Sequence, residues 1–434
     1  MASAESSSHY RWVILAMLLL ISMVTYLDRV NISIAAKYIM ADYGLSAVDM
    51  GKIFSAFVFG YALFQTPFGW LADKFGARRL LTFAIIWWSV FTAVTAVAAG
   101  IFTAQLLGVF GSFLLIRFLI GAGEASAYPN FNRAIAFWMA PGDRALANSL
   151  ILGASGLGAA ITPPLIGWIM ESYGWQESFY VCALIGVVIA LIWYTYSTDR
   201  PEEHPRVTPS ELAKIRTPYK DSATPGEPRG KLPLRVLVRN RNVCVLIASN
   251  FLFGYVAYIY LTWFYLYLVD VREFSILRSS FYATLPFVAI TLMTPIGGLL
   301  SDRLCQSYGR TWGRRAVVLG GMSLTAVFVM VGGAVANPYL AIVLLSLGAG
   351  FLYFSLSPYW ATVIDIAREN TGVVSGMMNT GGNLGGTISP TLTPFIASLF
   401  GWSWALNIAA LAAFLGGILW LWIDADEEVV DHGD

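Results

Sequence analysis

The sequence predicts an all-α membrane protein of twelve transmembrane helices in two pseudo-symmetric six-helix bundles, with both termini on the cytoplasmic side. Three observations predict it. Of the 434 residues 57% are hydrophobic and only 12% are charged, about half the charge of an average soluble chain. Apolar stretches of the ~20 residues that a bilayer core demands of a spanning helix begin near Trp12, Asp49, Arg79, Ala104, Ala145, Glu177, Asn242, Ser279, Ala316, Tyr339, Gly372 and Trp402. Finally, short segments of the first half recur in the second at a nearly fixed distance.

The first span is uncharged from Trp12 to Leu27. It is too long for a signal peptide, lacks a small-residue cleavage site and precedes eleven more spans, so it reads as a retained helix. The second ends in a basic connector, "GWLADKFGARR", Gly69 to Arg79. The third is free of charge, and the fourth, "RFLIGAGEASAYPNFNR", carries Arg117 and Glu124. The fifth contains Pro163 and Pro164, which kink it. After the sixth, the stretch from Asp199 to Arg241 holds ten Lys or Arg and seven of the chain's eighteen prolines. This is a linker over 199–241, separating a first bundle over 1–198 from a second over 242–434. Within it Thr208, Pro209 and Glu211 take the N-cap, N1 and N3 positions of a capping box, predicting one short helix through "LAKIR". In the second bundle Pro390 and Pro394 kink the eleventh span as the earlier pair kinks the fifth. Lys and Arg favour cytoplasmic loops. They crowd the linker and the connectors 73–79 and 301–315, whereas the opposite connectors hold only Lys37, Lys52, Arg272 and Arg278, which puts both termini inside.

The repeat is visible in three places. Gly69 and Asp73 pair with Gly298 and Asp302 at an offset of 229; "GAG" at Gly121 recurs at Gly348, and "LGAAITP" from Leu157 recurs as "LGGTISP" from Leu384, both at 227. Duplicated halves imply paired bundles around a central site. The informative positions are those where the symmetry fails. Asp28 and Arg29 fall opposite Tyr255 and Val256, Arg117 opposite Leu344, and Glu124 opposite Phe351. Residues 242–269, 279–301, 316–364 and 372–423 contain no Asp, Glu, Lys, Arg or His at all. A charge near a helix centre costs ~2.5–3.5 kcal/mol and usually faces a polar cavity with a function. Arg117 and Glu124 are two turns apart and share a face. Bracing of helices is the plain alternative for such pairs, but small-residue packing achieves it with less desolvation. His9, His204 and His432 lie in a tail, the linker and the other tail, so proton exchange within the membrane falls to carboxylates.

"YLDRVNIS" in the first span, the Gly69–Arg79 loop and "GAGEASAYPNFNR" together resemble the anion:cation symporter family of the major facilitator superfamily, over essentially the whole chain. That family includes bacterial carriers of hexuronates, galactonate and glucarate and is similar to animal vesicular glutamate and sialic acid carriers. The resemblance implies proton-driven import of a small organic anion, a sugar acid or related carboxylate, by alternating access. It implies that Arg29 pairs with the cargo carboxylate, that Asp28 and Glu124 load protons, and that Tyr26, Tyr61 and Asn379 line the site. Asn250 stands where a longer glutamine is found and Leu157 where another hydrogen-bonding glutamine is found, which implies a cargo less hydroxylated than an aldonate, or aromatic. Arg117 joins the charge network. At the helix ends Asp73, Arg79, Arg144 and Asp302 read as gating residues, with Arg144 as partner to Asp73 by the resemblance. In the second half Asn250 and Asn379 are expected in the site because a membrane-buried amide is costly without a partner.

An exchanger, facilitator or exporter of the same fold is the second reading, and a polytopic sensor or enzyme the third. The third lacks a nucleophile with a base at useful spacing. No cofactor is expected: Cys182, Cys244 and Cys305 have no metal-ligand spacing. The formal net charge of +1 gives no basic surface for nucleic acid. The expected partners are the anion, protons and the lipid of a bacterial cytoplasmic (inner) membrane, and the expected state is a monomer.

Overall fold

The computed structural model describes residues 9–140, 143–216, 232–367 and 370–429. They form helices α1 (Tyr10–Tyr43), α2 (Ala47–Phe75), α3 (Ala77–Thr95), α4 (Phe102–Glu124), α5 (Ala127–Trp138), α6 (Arg144–Tyr173), α7 (Trp175–Tyr196) and the short α8 (Pro209–Arg216). After the undescribed residues 217–231 follow α9 (Leu234–Leu237), α10 (Arg241–Thr262), α11 (Phe264–Asp270), α12 (Ile276–Tyr308), α13 (Arg310–Ala334), α14 (Pro338–Phe354), α15 (Leu356–Ala367), α16 (Thr371–Phe400) and α17 (Trp402–Ile418). Eleven stretches among the described residues are long and apolar enough to cross a membrane. The remaining long helix, α16, has 30 residues but is rich in Gly, Thr, Asn and Pro, so its composition rather than its length sets it apart.

By contact the chain divides into two compact units, Met1–Ile32 with Phe59–Gly226, and Ser33–Val58 with Glu227–Asp434. The first is centred on fully buried Trp88, Phe113, Phe131, Trp138, Phe179 and Trp193. Its α4 and α5 are one span broken after Glu124, where the last turn tightens as Ser126 N–H donates to Gly123 O at 3.2 Å. In the second unit Ser249 Oγ joins three elements: it meets Tyr359 OH, donates to Gly416 O at 2.7 Å and accepts from Trp420 Nε1 at 3.1 Å.

Residues 33–58 pack with the second unit although they precede the linker. Ser33 Oγ donates to Leu261 O at 2.7 Å, Ser55 meets Thr391 at 2.8 Å, and Lys37 pairs with Asp270 at 2.8 Å. A single continuous α1 therefore contributes to both units, an affiliation that the linker's position in the sequence does not reveal.

The repeat extends to features no residue match exposes. Gly174 (φ 108°) and Gly401 (φ 88°), 227 residues apart, each turn the chain into the last long helix of its half, and each precedes a Trp. Side chains other than glycine rarely adopt that backbone conformation. Beyond those helices the halves again match. Asp199 Oδ1 accepts from Arg78 N–H at 2.9 Å, and Asp426 Oδ2, 227 residues later, accepts from Thr311 N–H at 3.4 Å. Each carboxylate takes up an orphan donor in the first turn of α3 or α13 and meets the positive end of the helix dipole. The Thr311 hydroxyl, donating to Asp424 Oδ1 at 2.8 Å, is the leading cause that holds the Asp424 carboxyl below its usual range.

Candidate functional site

The first unit gathers all four charges that have no counterpart in the repeat. Arg29 of α1 donates through Nε to Glu124 Oε2 at 2.7 Å, with side chains 10% and 0% exposed. Its guanidinium carbon lies 5.1 Å from the Tyr26 ring centroid and 4.7 Å from that of Tyr61 on α2, so two aromatic faces hold the cation as ring quadrupoles do. Asp28 stands one position earlier on α1. It is 2% exposed and faces Glu124, Arg117 and Thr92. Among the described residues neither of its carboxylate oxygens takes a hydrogen bond, and Glu124 Oε1 takes none. Arg117 is 3% exposed and faces Glu124, Asp28 and Arg29.

The resulting cluster holds two cations and two carboxylates, enclosed by protein and formally neutral. Local sequence explains the placement. The break after Glu124 falls within "GAGEAS", whose small residues let α4 run close to its neighbours, Gly123 against Trp87 of α3 among them. Seven residues separate Arg117 from Glu124, so one face of α4 presents both.

Tyr128, in the first turn of α5, lies beside Tyr26, Arg29, Tyr61 and Ser155, and the sequence reading did not single it out. It belongs to the aromatic wall around Arg29. Its only sequence signal is its place directly after the helix break.

The cargo-site candidates of the second half are asparagines, and they differ in what they do. Asn250 of α10 is 7% exposed and donates through Nδ2 to Met378 O of α16 at 2.8 Å, which makes its amide a brace between two helices. Asn379 is half-buried on α16. Asn383, one turn on, is 8% exposed, and its Nδ2 donates no hydrogen bond among the described residues.

Of the residues assigned to helix ends, Asp302 accepts from Arg314 Nη1 at 2.8 Å, while Arg314 Nε reaches Asp365 at 3.3 Å and Nη1 reaches Ser301 Oγ at 3.0 Å. Arg314 thus clamps α12, α13 and α15 together, and Asp365 is a partner the sequence reading missed. The side chain of Asp73 lies outside the described residues. Arg144, expected opposite it, donates to Ala136 O at 2.8 Å and Met139 O at 3.3 Å, closing the end of α5. Arg79 is exposed. Its neighbour Arg78 is the engaged residue, donating twice to Tyr194 O.

A helical membrane bundle with a buried, balanced charge cluster opening on aromatic faces is the arrangement of a carrier rather than an enzyme. The chain belongs to the Major Facilitator Superfamily, whose family description matches residues 18–390 and 283–433. Among its relatives, the probable sulfoacetate transporter SauU of Cupriavidus necator is 33% identical over 372 residues, covering 86% of this chain and 84% of that one. The probable galactarate/D-glucarate transporter GudP of Bacillus subtilis is 33% identical over 393 residues, covering 88% and 84%. The hexuronate transporter of the same organism is 32% identical over 370 residues, covering 84% and 83%. The fold is also that of a D-xylose–proton symporter, with a TM-score of 0.75 at 15% identity over 96% of this chain and 99% of that one. The family expected from the "YLDRVNIS" and "GAGEAS" segments is the one the chain belongs to.

Proposed function

We propose that this protein imports a small organic anion together with protons, and that Asp28, Arg29, Arg117 and Glu124 are the coupling machinery. The carrying observation is the neutral buried quartet. An anion that enters it adds a charge in a low-dielectric site, which costs several kcal/mol unless that charge is matched. A proton on Glu124 restores neutrality and frees the Arg29 guanidinium to receive the carboxylate between the rings of Tyr26, Tyr61 and Tyr128. Asp28 supplies a second protonatable carboxylate for a doubly charged cargo, and Arg117 faces both acids and links them. Asn379 and Asn250 are further cargo-binding residues in this reading, each uncharged. The names of the relatives support the cargo class: sulfoacetate, glucarate and hexuronates are all compact carboxylates.

In this reading the spans number twelve, α16 included, and the bundles are 1–198 and 242–434 joined by 199–241. Both termini and the linker are cytoplasmic, the carrier works as a monomer, and Asp302 with Arg314, Asp73, Arg79 and Arg144 stand at the inner gate.

The test is uptake of radiolabelled sulfoacetate, glucarate, glucuronate and benzoate into proteoliposomes with and without an inward proton gradient. At least one of these anions should accumulate with the gradient, and a protonophore should abolish the accumulation. Uptake indifferent to the gradient overturns proton coupling in favour of exchange or facilitation. In Asp28→Asn and Glu124→Gln, accumulation should vanish while anion exchange survives, because a neutral amide keeps the shape but carries no removable proton. Accumulation at the wild-type level in both variants overturns the assignment.

A further inference from the structure

The N-cap expected in the linker is present, with Glu211 N–H donating to Thr208 Oγ1 at 3.4 Å. The Glu211 carboxylate also acts far from its own helix. It is 1% exposed, and its two oxygens accept from Tyr10 N–H at 3.2 Å and Arg11 N–H at 3.0 Å. These are first-turn donors of α1, and a carboxylate meets them with charge-assisted bonds. Glu211 thus caps, from 201 residues away, the helix that carries Tyr26, Asp28 and Arg29.

The rest of the segment is fastened to the same place. Tyr10 OH donates to Tyr196 O at 2.8 Å, Trp138 Nε1 donates to Thr198 O at 3.0 Å, and the Arg206 guanidinium lies over the Tyr196 ring. His204 is the keystone: its imidazole stacks on the Tyr10 ring at 3.9 Å with 22° between planes, and the Trp138 ring stands edge-on at 6.0 Å. His204 Nδ1 accepts from Arg206 N–H at 3.3 Å, which requires an unprotonated Nδ1 and hence a neutral ring. The charged and titratable groups around it are Tyr10 from α1, Arg78 from α3, and Arg206 and Glu211 from the linker. Two cations oppose a third here, and one carboxylate favours it. Burial first, then Arg206 and Arg78, hold the imidazole below its ordinary value of 6.5.

We propose that Pro201–Arg216 is a proton-sensitive clasp on α1, in which Glu211 fixes the helix and neutral His204 fixes the clasp, so that an acidifying cytoplasm loosens α1 and slows transport. The cytoplasmic placement rests on the orientation in the reading above. A carrier that brings in protons acidifies the compartment the clasp faces, so the device is a brake on its own product. The sign follows from linkage. A histidine depressed in the docked state is neutral on both sides of the docking equilibrium above 6.5, so docking is strongest there. Below that value the undocked state binds the proton more readily, and docking weakens as pH falls.

The chain has three histidines, so isotope labelling of histidine in the full-length protein in nanodiscs, with His204→Asn for assignment, reads the ring directly. The expected spectrum is the Nε2–H tautomer, titrating below the ordinary value. Amide-exchange protection at Tyr10 and Arg11, corrected for intrinsic pH dependence, should fall by up to about tenfold per pH unit below that point in the wild type. It should stay flat in His204→Asn, whose neutral oxygen still accepts from Arg206, and be low at every pH in Glu211→Gln. Glucarate counterflow at equal pH on both faces should show a steeper acid loss in the wild type than in His204→Asn. Titration at or above the ordinary value, or equal protection in the wild type and His204→Asn across the range, overturns the clasp. An equally steep acid loss of counterflow in the wild type and His204→Asn overturns the brake on transport, whereas absence of counterflow in the wild type counts against glucarate as a cargo, because the spectra and the exchange data need no cargo.

Discussion

Replacing Arg29 with leucine lowers uptake of every carboxylated cargo by about thirtyfold to a few thousandfold, the expected consequence of removing one partner of a buried charge pair, which costs roughly 2–5 kcal/mol at about 1.4 kcal/mol per tenfold. The same substitution lowers thermal stability, since Glu124 is fully buried and loses the 2.7 Å contact from Arg29 Nε. Arg29→Lys separates geometry from charge. Lysine is a point charge without a planar fork, so it cannot lie between the Tyr26 and Tyr61 faces while also holding Glu124, and a loss of about tenfold is expected. The double variant Arg29→Leu with Glu124→Leu separates structure from transport. A buried pair exchanged for apolar residues is often neutral or stabilising, so its melting temperature should recover while uptake stays lost. Near-normal uptake in that double variant would end the case for Arg29 as the cargo's partner.

The four charges were legible because charge stands out against an apolar background, and the failure of the repeat at those positions marked them as a set. The structure brings the set together within one unit. Tyr128 was not legible for the converse reason: one more aromatic among 15% Phe, Trp and Tyr has no contrast. Asp365 and Asp426 were visible as residues but not as partners, since each completes a contact with an element distant in sequence. Glu211 shows the same limit more sharply. Local rules assign it to its own helix through the capping box, of which the Thr208 half is seen. That its carboxylate also closes α1 is a tertiary fact with no local signature. The family resemblance, which rests on contiguous motifs, was readable for the same physical reason that these contacts were not.

The seam between α10 and α16 should be the least tolerant place in the second unit. A Cβ on Gly254 would run into the carbonyl of Gly382, and one on Gly385 into the carbonyl of Phe251. Both obstacles are backbone, which cannot rotate aside as a side chain can. Nor can the helices simply part. Asn250 Nδ2 to Met378 O at 2.8 Å, Ser389 Oγ to Tyr255 O at 2.6 Å and Trp263 Nε1 to Pro390 O at 2.9 Å fix their spacing, and each bond lost in an apolar surrounding costs about 1 kcal/mol. Overpacking of this kind costs roughly 1–3 kcal/mol for a methyl group, so Gly385→Ala and Gly254→Ala should melt several degrees lower, and Gly385→Leu should fail to yield folded protein. Gly372 and Gly376, on the same helix with nothing within 4 Å of a Cβ, supply the control with the opposite sign. There alanine brings only its better helix propensity, worth up to about 1 kcal/mol over glycine, so Gly376→Ala should melt at or above the wild type. Equal melting temperatures for Gly376→Ala and Gly385→Ala would mean that close backbone approach does not hold this seam.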